Sequence, residues 1–295
     1  MIDVIYNPVA GPKRGNRINR VRDFLSSRGV AFRLRETGGP GDAVLMAREA
    51  AYAGTETVIA VGGDGTLNEV ANGLAGSATR LAAVPIGTGN VFAKEFSLPT
   101  TVEGCLALLE EGKTVSVPLA KANDRYFVLL ASAGFDAEVV ERMTHRQKNA
   151  FGISAYVLVG LRHILRTQPT LWVELPDRER VEAQSVIVVR GRKYGGDVTI
   201  APAADLSGNA FQVILLLRKG RWAIARFALD ILRGRHVGSP HVTIREAPSL
   251  VARCRIPSAA QVDGDYLGPL PVRFTVTDVP LRIVVPKEFP ANGSS

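Results

Sequence analysis

VGGDGTLNEV, residues Val61–Val70, closes the apolar run Val58–Val61 with Gly62, Gly63, Asp64 and Gly65 and then passes into an apolar-periodic segment. A strand that ends in a glycine turn and feeds a helix has two readings. In the plain one, Asp64-Gly65 is a turn and Thr66 caps a helix over Leu67–Leu74. In the other, the glycines let backbone N–H groups approach an anion closely, at a helix start that favours negative charge.

The surrounding pattern favours the second. From Met1 to about Val117, strands alternate with helices, as in an α/β domain with a parallel sheet. The expected strands are Ile2–Tyr6, Ala31–Thr37, Val58–Val61 and Leu81–Pro85. Helices are expected over Asn16–Ser27, where Ile18, Val21, Phe24 and Leu25 recur at helical spacing, and over Gly41–Ala53, Leu67–Leu74 and Val102–Glu111. Ligands of such sheets bind beyond the carboxyl ends of the strands. Three turns stand there: Asn7-Pro8-Val9-Ala10-Gly11-Pro12-Lys13-Arg14-Gly15, Gly62 to Glu69, and Ile86-Gly87-Thr88-Gly89-Asn90. An acid among phosphate-binding glycines is repulsive unless a cation lies between, so Asp64 reads as a partner of Mg²⁺ carrying nucleotide phosphates. Lys13 and Arg14 either neutralise phosphate or are solvated. The chain has no GxxxxGK[ST], and a GxGxxG fingerprint would need glycine at Phe92.

Beyond Val117 the texture changes to short β-rich runs: Tyr126–Ala131, Leu171–Leu175, Ser185–Val189, Thr199–Ala201, Ala210–Leu217 and Val272–Val276, with a hairpin signal at Asp263-Gly264. This is the pattern of a mostly antiparallel sandwich, interrupted by helical stretches around Gly152–Arg166 and Trp222–Arg233. The expected domains are 1–122 and 123–279, with a segment at about 280–290 packing back on the first.

Composition is that of a globular chain: 295 residues, 46% hydrophobic and 22% charged. Its apolar runs fall well short of the roughly 20 residues of a spanning helix. The opening Met1–Pro8 reads as a strand and turn rather than a signal peptide, and Cys105 and Cys254 form no disulfide framework, so a cytoplasmic location is expected. His145, His163, His236 and His241 lack metal-ligand spacing. The net charge of +8 favours anionic partners. Nothing beyond that charge suggests nucleic acid, since no recognisable module or interleaved aromatics accompany it.

Gly62-Gly63-Asp64-Gly65-Thr66-Leu67-Asn68-Glu69-Val70 with Pro85-Ile86-Gly87-Thr88-Gly89-Asn90 resembles the diacylglycerol kinase catalytic-domain family, most of all its soluble bacterial lipid kinases. Tyr6-Asn7-Pro8…Gly11, Ala133-Gly134-Phe135-Asp136-Ala137, Tyr194-Gly195-Gly196, Ile200-Ala201-Pro202 and Val262-Asp263-Gly264-Asp265 follow in the same order. GGDGT alone is shared with NAD kinases and phosphofructokinases. The resemblance implies a NAD kinase/phosphofructokinase-like α/β domain and a C-terminal β-sandwich, with ATP between them and a lipid entering the same cleft. It places Asn7, Thr37, Gly62, Gly63, Asp64, Gly65, Thr66, Leu67, Asn68, Glu69, Gly87, Thr88, Gly89 and Asn90 at the nucleotide, and Asp64 on its Mg²⁺.

The family's general base, a glutamate in Asp-Gly-Glu, corresponds to Asp265, one methylene shorter. Asp-Gly is also a strong hairpin signal, and such a turn would set Asp263 and Asp265 at the cleft. Val91 stands where the family often has aspartate. Bacterial members also hold a structural Mg²⁺ after the Ala-Pro motif; here Gly208 falls at the expected aspartate, leaving Asp205 as a substitute. The implied reaction is phosphorylation of a hydroxyl on a diacylglycerol-like lipid, with Asp64 and Asp265 as catalytic residues.

Two basic amphipathic stretches either meet anionic lipid or pack on a core. They are Phe151–Arg166, with Ile153, Val157, Leu161 and Ile164, and Arg221–Arg233, with Trp222, Leu229 and Leu232 on one side. Peripheral membrane contact and a homodimer are compatible with this reading. The alternatives are a NAD kinase-like enzyme, or a non-catalytic nucleotide- or lipid-binding relative.

Overall fold

The computed structural model describes residues 1–11, 16–143, 159–160, 170–195 and 198–290. Two compact units emerge: unit 1 comprises Met1–Leu119 with Asp278–Ser295, and unit 2 comprises Ala120–Thr277.

In unit 1, β1 (Ile2–Tyr6), β2 (Phe32–Glu36), β3 (Thr57–Gly62) and β4 (Arg80–Pro85) lie parallel in the order β2-β1-β3-β4. Every residue of β3 is buried, as expected for a parallel strand covered on both faces. The helices are α1 (Asn16–Ser27), α2 (Asp42–Tyr52), α3 (Asp64–Leu74), α4 (Val91–Glu95) and α5 (Val102–Glu111). Val4, Tyr6, Val61 and Val84 pack with Val21, Leu25 and Leu106 in one cluster. Helices α2 and α3 approach so closely that a Cβ on Gly73 would lie 2.5 Å from the Val44 carbonyl oxygen. The β1–β2 register sets Asp3 beside Arg33, and the fully buried Asp3 carboxylate takes an ion pair of 2.5 Å from that guanidinium. A buried carboxylate without such a partner would cost several kcal/mol, on the order of 3–5.

Unit 2 contains two antiparallel sheets. One runs β14 (Val242–Ala247), β13 (Phe211–Leu216), β10 (Ser185–Val189), β7 (Leu130–Gly134), β16 (Ala259–Val262), β17 (Asp265–Pro269). In the other, β18 (Val272–Val285) pairs with β15 (Ser249–Cys254), then β8 (Leu171–Glu174) and β9 (Arg180–Ala183). Alternation along β10 and β13 divides their side chains between two cores. Val186, Val188, Val213 and Leu215 join Val173, Leu250 and Phe274. Ile187, Val189, Ile214 and Leu216 instead meet Ile224, Phe227 and Ile231 of α7 (Arg221–Leu232). Because α7 covers that second face, β10 is buried throughout. Short elements described in this unit include β6 (Arg125–Phe127), α6 (Phe135–Arg142), and the pair β11 (Lys193–Tyr194) and β12 (Val198–Thr199).

Several sequence expectations are corrected. Tyr126–Ala131 is not one strand: it is broken between β6 and β7, where the N–H groups of Val128, Leu129 and Leu130 turn to the Asp263 carboxylate. Val272–Val276 is only the start of the 14-residue β18, whose end pairs in parallel with β4. The strand β5 (Lys113–Ala122) was missed because Pro118 argues against a strand. Strands β14–β16 and helix α6 were also missed; each is too short for its periodicity to stand out. The helical stretch at Gly152–Arg166 falls outside the described residues apart from 159–160.

Candidate functional site

The carboxyl ends of β1, β3 and β4 each release a turn, and the three turns touch. Asn7, directly after β1, donates its N–H to the Val61 carbonyl at 3.0 Å. Its Oδ1 accepts from Val9 N–H at 3.0 Å, and its Nδ2 donates to the Thr66 hydroxyl at 3.0 Å. Thr66 is therefore not a helix cap. Gly63 occupies the N-cap position and α3 begins at Asp64, so Asp64-Gly65 is the first helical turn rather than a plain turn.

Glycine is required by close approach. A Cβ on Gly62 would stand 2.4 Å from Thr66 Cβ, and one on Gly87 would stand 2.9 Å from Gly63 Cα. Gly11, at φ +79, passes against the Ile86 carbonyl, which also accepts from Arg17 Nη1 at 3.0 Å.

Asp64 lies in the first turn of α3, where the helix dipole favours a carboxylate. Its Oδ1 accepts the N–H of Phe92 at 3.1 Å, which ties the second turn to the third. A Cβ on Gly89 would come within 3.2 Å of Asp64 Oδ2. Asn90 adopts a left-handed conformation at the N-cap of α4. Its buried Oδ1 has no hydrogen-bond partner among the described residues. An orphaned buried acceptor, a helix N-terminus and turns emptied of side chains fit a phosphate group with an accompanying cation.

The other expected nucleotide residues differ in placement. Thr88 is exposed on the third turn. Thr37 is buried after β2, its N–H donating to the Tyr6 carbonyl at 2.9 Å. Leu67 is buried in unit 1, and its N–H donates to the Gly63 carbonyl at 3.0 Å; Asn68 is 3% exposed and accepts from Asn72 Nδ2. Glu69 serves α2: its carboxylate accepts the N–H groups of Gly41 at 2.9 Å and Ala43 at 3.3 Å. Pro12, Lys13, Arg14 and Gly15 lie outside the described residues.

In unit 2, Asp263 and Gly264 both take positive φ, +46 and +85, between β16 and β17, the requirement of a type I′ hairpin. The Asp263 carboxylate, expected at a cleft, is instead taken up by backbone N–H groups. Oδ1 accepts from Leu129 and Leu130 N–H at 3.0 Å each and Oδ2 from Val128 N–H at 2.8 Å, anchoring the hairpin to the break before β7. Asp265 remains part-exposed and pairs with Arg125 at 3.1 Å.

Behind the turn, Gly264 N–H donates to Gln261 Oε1 at 2.9 Å. Gln261 Nε2 donates to Ser132 Oγ at 2.9 Å and to Asp136 Oδ2 at 3.1 Å, and the Tyr194 hydroxyl donates to Asp136. The Phe135-Asp136 motif thus supports the hairpin. Arg125, Arg17 and Gln261 were not singled out from sequence, because each acts on a partner distant in the chain or through an unremarkable local pattern.

Asp205, the expected second metal residue, turns Oδ1 onto Ser207, accepting from its N–H at 2.8 Å and from its hydroxyl at 2.7 Å; no cluster of three or more metal-ligating side chains occurs among the described residues. On α7, Trp222 is 78% exposed and Leu229 39%; the Leu232 side chain lies outside what is described. None of the described helices is long and apolar enough to cross a membrane.

A parallel sheet edge with three touching phosphate-type turns, joined in one chain to an antiparallel sandwich, defines the class: a kinase with a lipid-kinase-like catalytic domain. Residues 2–122 match the diacylglycerol kinase catalytic domain, and residues 130–285 match the YegS C-terminal NAD kinase beta sandwich-like domain. The chain belongs to the bacterial kinase family that combines these two domains.

Among its relatives, a diacylglycerol kinase of Staphylococcus haemolyticus is 29% identical over 97% of this chain and 88% of its own. A diacylglycerol kinase of Bacillus subtilis is 29% identical over 97% and 96%. The crystal structure of a diacylglycerol kinase from Bacillus anthracis str. Sterne shares the fold with a TM-score of 0.69, at 18% identity over 96% of each chain. Another structure from that organism reaches a TM-score of 0.80 at 21% identity, with the same coverage.

Proposed function

We propose that this protein is an ATP- and Mg²⁺-dependent lipid kinase that phosphorylates a hydroxyl of a diacylglycerol-like lipid. The observation that carries the reading is Asp64, at the start of α3 and bonded to Phe92 N–H, joining two turns emptied of side chains. The relatives' description as diacylglycerol kinases supports the acceptor class.

When bound, ATP with Mg²⁺ supplies the phosphoryl group and neutralises its charge. The Gly62–Asn68 and Gly87–Asn90 segments would lie along the phosphates, their glycine turns admitting them closely, and Asp64 would hold the metal ion. Asn7 orients Thr66 and keeps the first turn in place. Asp265 takes the proton released by the acceptor hydroxyl, and Arg125 positions its carboxylate. Little covalent work falls to the protein in phosphoryl transfer, where positioning and charge stabilisation dominate.

Access to the lipid is through peripheral contact with an anionic membrane from the cytoplasm. Helix α7 suits that contact, with Trp222 and Leu229 exposed beside Arg221 and Arg233.

The test is transfer of labelled γ-phosphate from ATP into separate preparations of diacylglycerol, monoacylglycerol, phosphatidylglycerol, a sphingoid base and NAD. Label in one lipid class supports the reading and names the acceptor. Label in NAD overturns it in favour of a soluble acceptor.

A further inference from the structure

Arg190 directly follows β10, and its side chain is among the largest that are fully buried. Its guanidinium gathers three backbone carbonyls from one short loop. Nη2 donates to Leu206 O at 2.5 Å, and Nη1 donates to Gly208 O at 2.7 Å and Ala210 O at 3.1 Å. Burial pushes this group down to about 10, with the Asp205 carboxylate pulling the other way, so it stays charged at neutral pH.

Carbonyl oxygens converging on a buried positive charge are what a hard divalent ion would also use. Here the planar fork of arginine takes them instead. A divalent ion on the same oxygens would face a like charge, Asp205 Oδ1 is committed to Ser207, and Gly208 offers no carboxylate. The donor set does not fit the structural Mg²⁺ that the family resemblance implies.

The same residue reaches the hairpin. The N–H groups of Arg190 and Gly191 donate to Leu129 O at 2.7 and 3.0 Å. Leu129 N–H in turn donates to Asp263 Oδ1 at 3.0 Å. A continuous path of hydrogen bonds therefore runs from the Leu206–Ala210 loop through Arg190 and Leu129 to the turn that carries Asp265.

We propose that the Arg190 guanidinium is the resident cation of the Leu206–Ala210 loop, standing in place of a divalent ion. It holds the Asp263–Asp265 hairpin in register through Leu129, so unit 2 keeps both features without metal. Which acceptor the protein phosphorylates does not bear on this.

Hydrogen exchange read by mass spectrometry on the full chain, without nucleotide, tests it in EDTA and in Mg²⁺. Wild type is expected to protect segments 204–210 and 128–130 equally in both. Arg190→Met strips three buried carbonyls of a charged donor, so exchange in both segments should rise by more than about tenfold, and Mg²⁺ should not restore it. Arg190→Lys, a point charge without the fork, should fall between. Wild-type protection of 204–210 that requires Mg²⁺ would overturn the proposal, as would unchanged protection in Arg190→Met. If Arg190→Met does not fold, the wild-type comparison still decides. Kinase activity enters none of these readouts, so failure of the lipid-kinase reading is seen separately.

Discussion

Asn7 and Thr66, 59 residues apart, are joined by a hydrogen bond of 3.0 Å from the Asn7 amide to the Thr66 hydroxyl. This bond locks the first turn onto the first helical turn of α3. Asn7→Ala should cost about 1 kcal/mol of stability and, on the proposed function, weaken ATP binding, because the first turn loses its tether to α3. Urea unfolding and titration calorimetry with ATP and Mg²⁺ check the two parts. Thr66→Val should give the same loss of affinity.

Asp263 and Asp265, two residues apart, should respond in opposite ways. Asp263→Ala leaves three backbone N–H groups without their acceptor, at roughly 1–3 kcal/mol each, so the denaturation midpoint should fall sharply. Asp265→Asn takes the charge from a part-exposed pair with Arg125, a change of about 0–1 kcal/mol. Its turnover should nevertheless fall by about 10²–10⁴-fold while ATP binding persists. Wild-type turnover in Asp265→Asn would remove that residue from the role of base.

Trp222 extends into solvent from the start of α7, whose flanks carry Arg218, Lys219 and Arg221 at one end and Arg233 and Arg235 at the other. Sedimentation with vesicles containing phosphatidylglycerol should carry the wild type down more strongly than Trp222→Ala or Arg221→Glu. Neutral phosphatidylcholine vesicles should bind all three weakly. Equal sedimentation of wild type and variants would remove α7 from membrane contact.

Burial pushes the Cys105 thiol from its ordinary 9.0 up to about 12. The unfolded chain therefore releases this proton as pH passes 9, while the folded chain retains it. The contribution of Cys105 is complete below pH 9 and is lost progressively as pH rises towards about 12. Cys105→Ala should flatten that part of the alkaline stability profile, measured by denaturant midpoint against pH. In the native wild type, a thiol reagent at neutral pH should label the half-buried Cys254 before Cys105.

What sequence revealed was local. The alternation of strand and helix, the glycine turns after β1, β3 and β4, and the Asp263-Gly264 hairpin each depend on residues adjacent in the chain. What it concealed depended on distant partners. Thr66 reads as a cap until Asn7 is placed beside it, and Glu69 reads as a phosphate-loop residue until the start of α2 takes its carboxylate. Asp263 looks like a second acid of the hairpin, yet its partners lie more than 130 residues earlier. Arg190 carries no motif at all; only burial and three converging carbonyls single it out.

The most direct test of the central claim is transfer of labelled γ-phosphate from ATP to dispersed diacylglycerol by wild type, with Asp64→Ala measured alongside. ATP binding is measured on the same preparations. The expected result is label in the lipid with wild type and none above background with Asp64→Ala, the variant remaining folded by circular dichroism. Transfer by Asp64→Ala at the wild-type rate would contradict the account, because the residue joining the two glycine turns would then have no part in the chemistry.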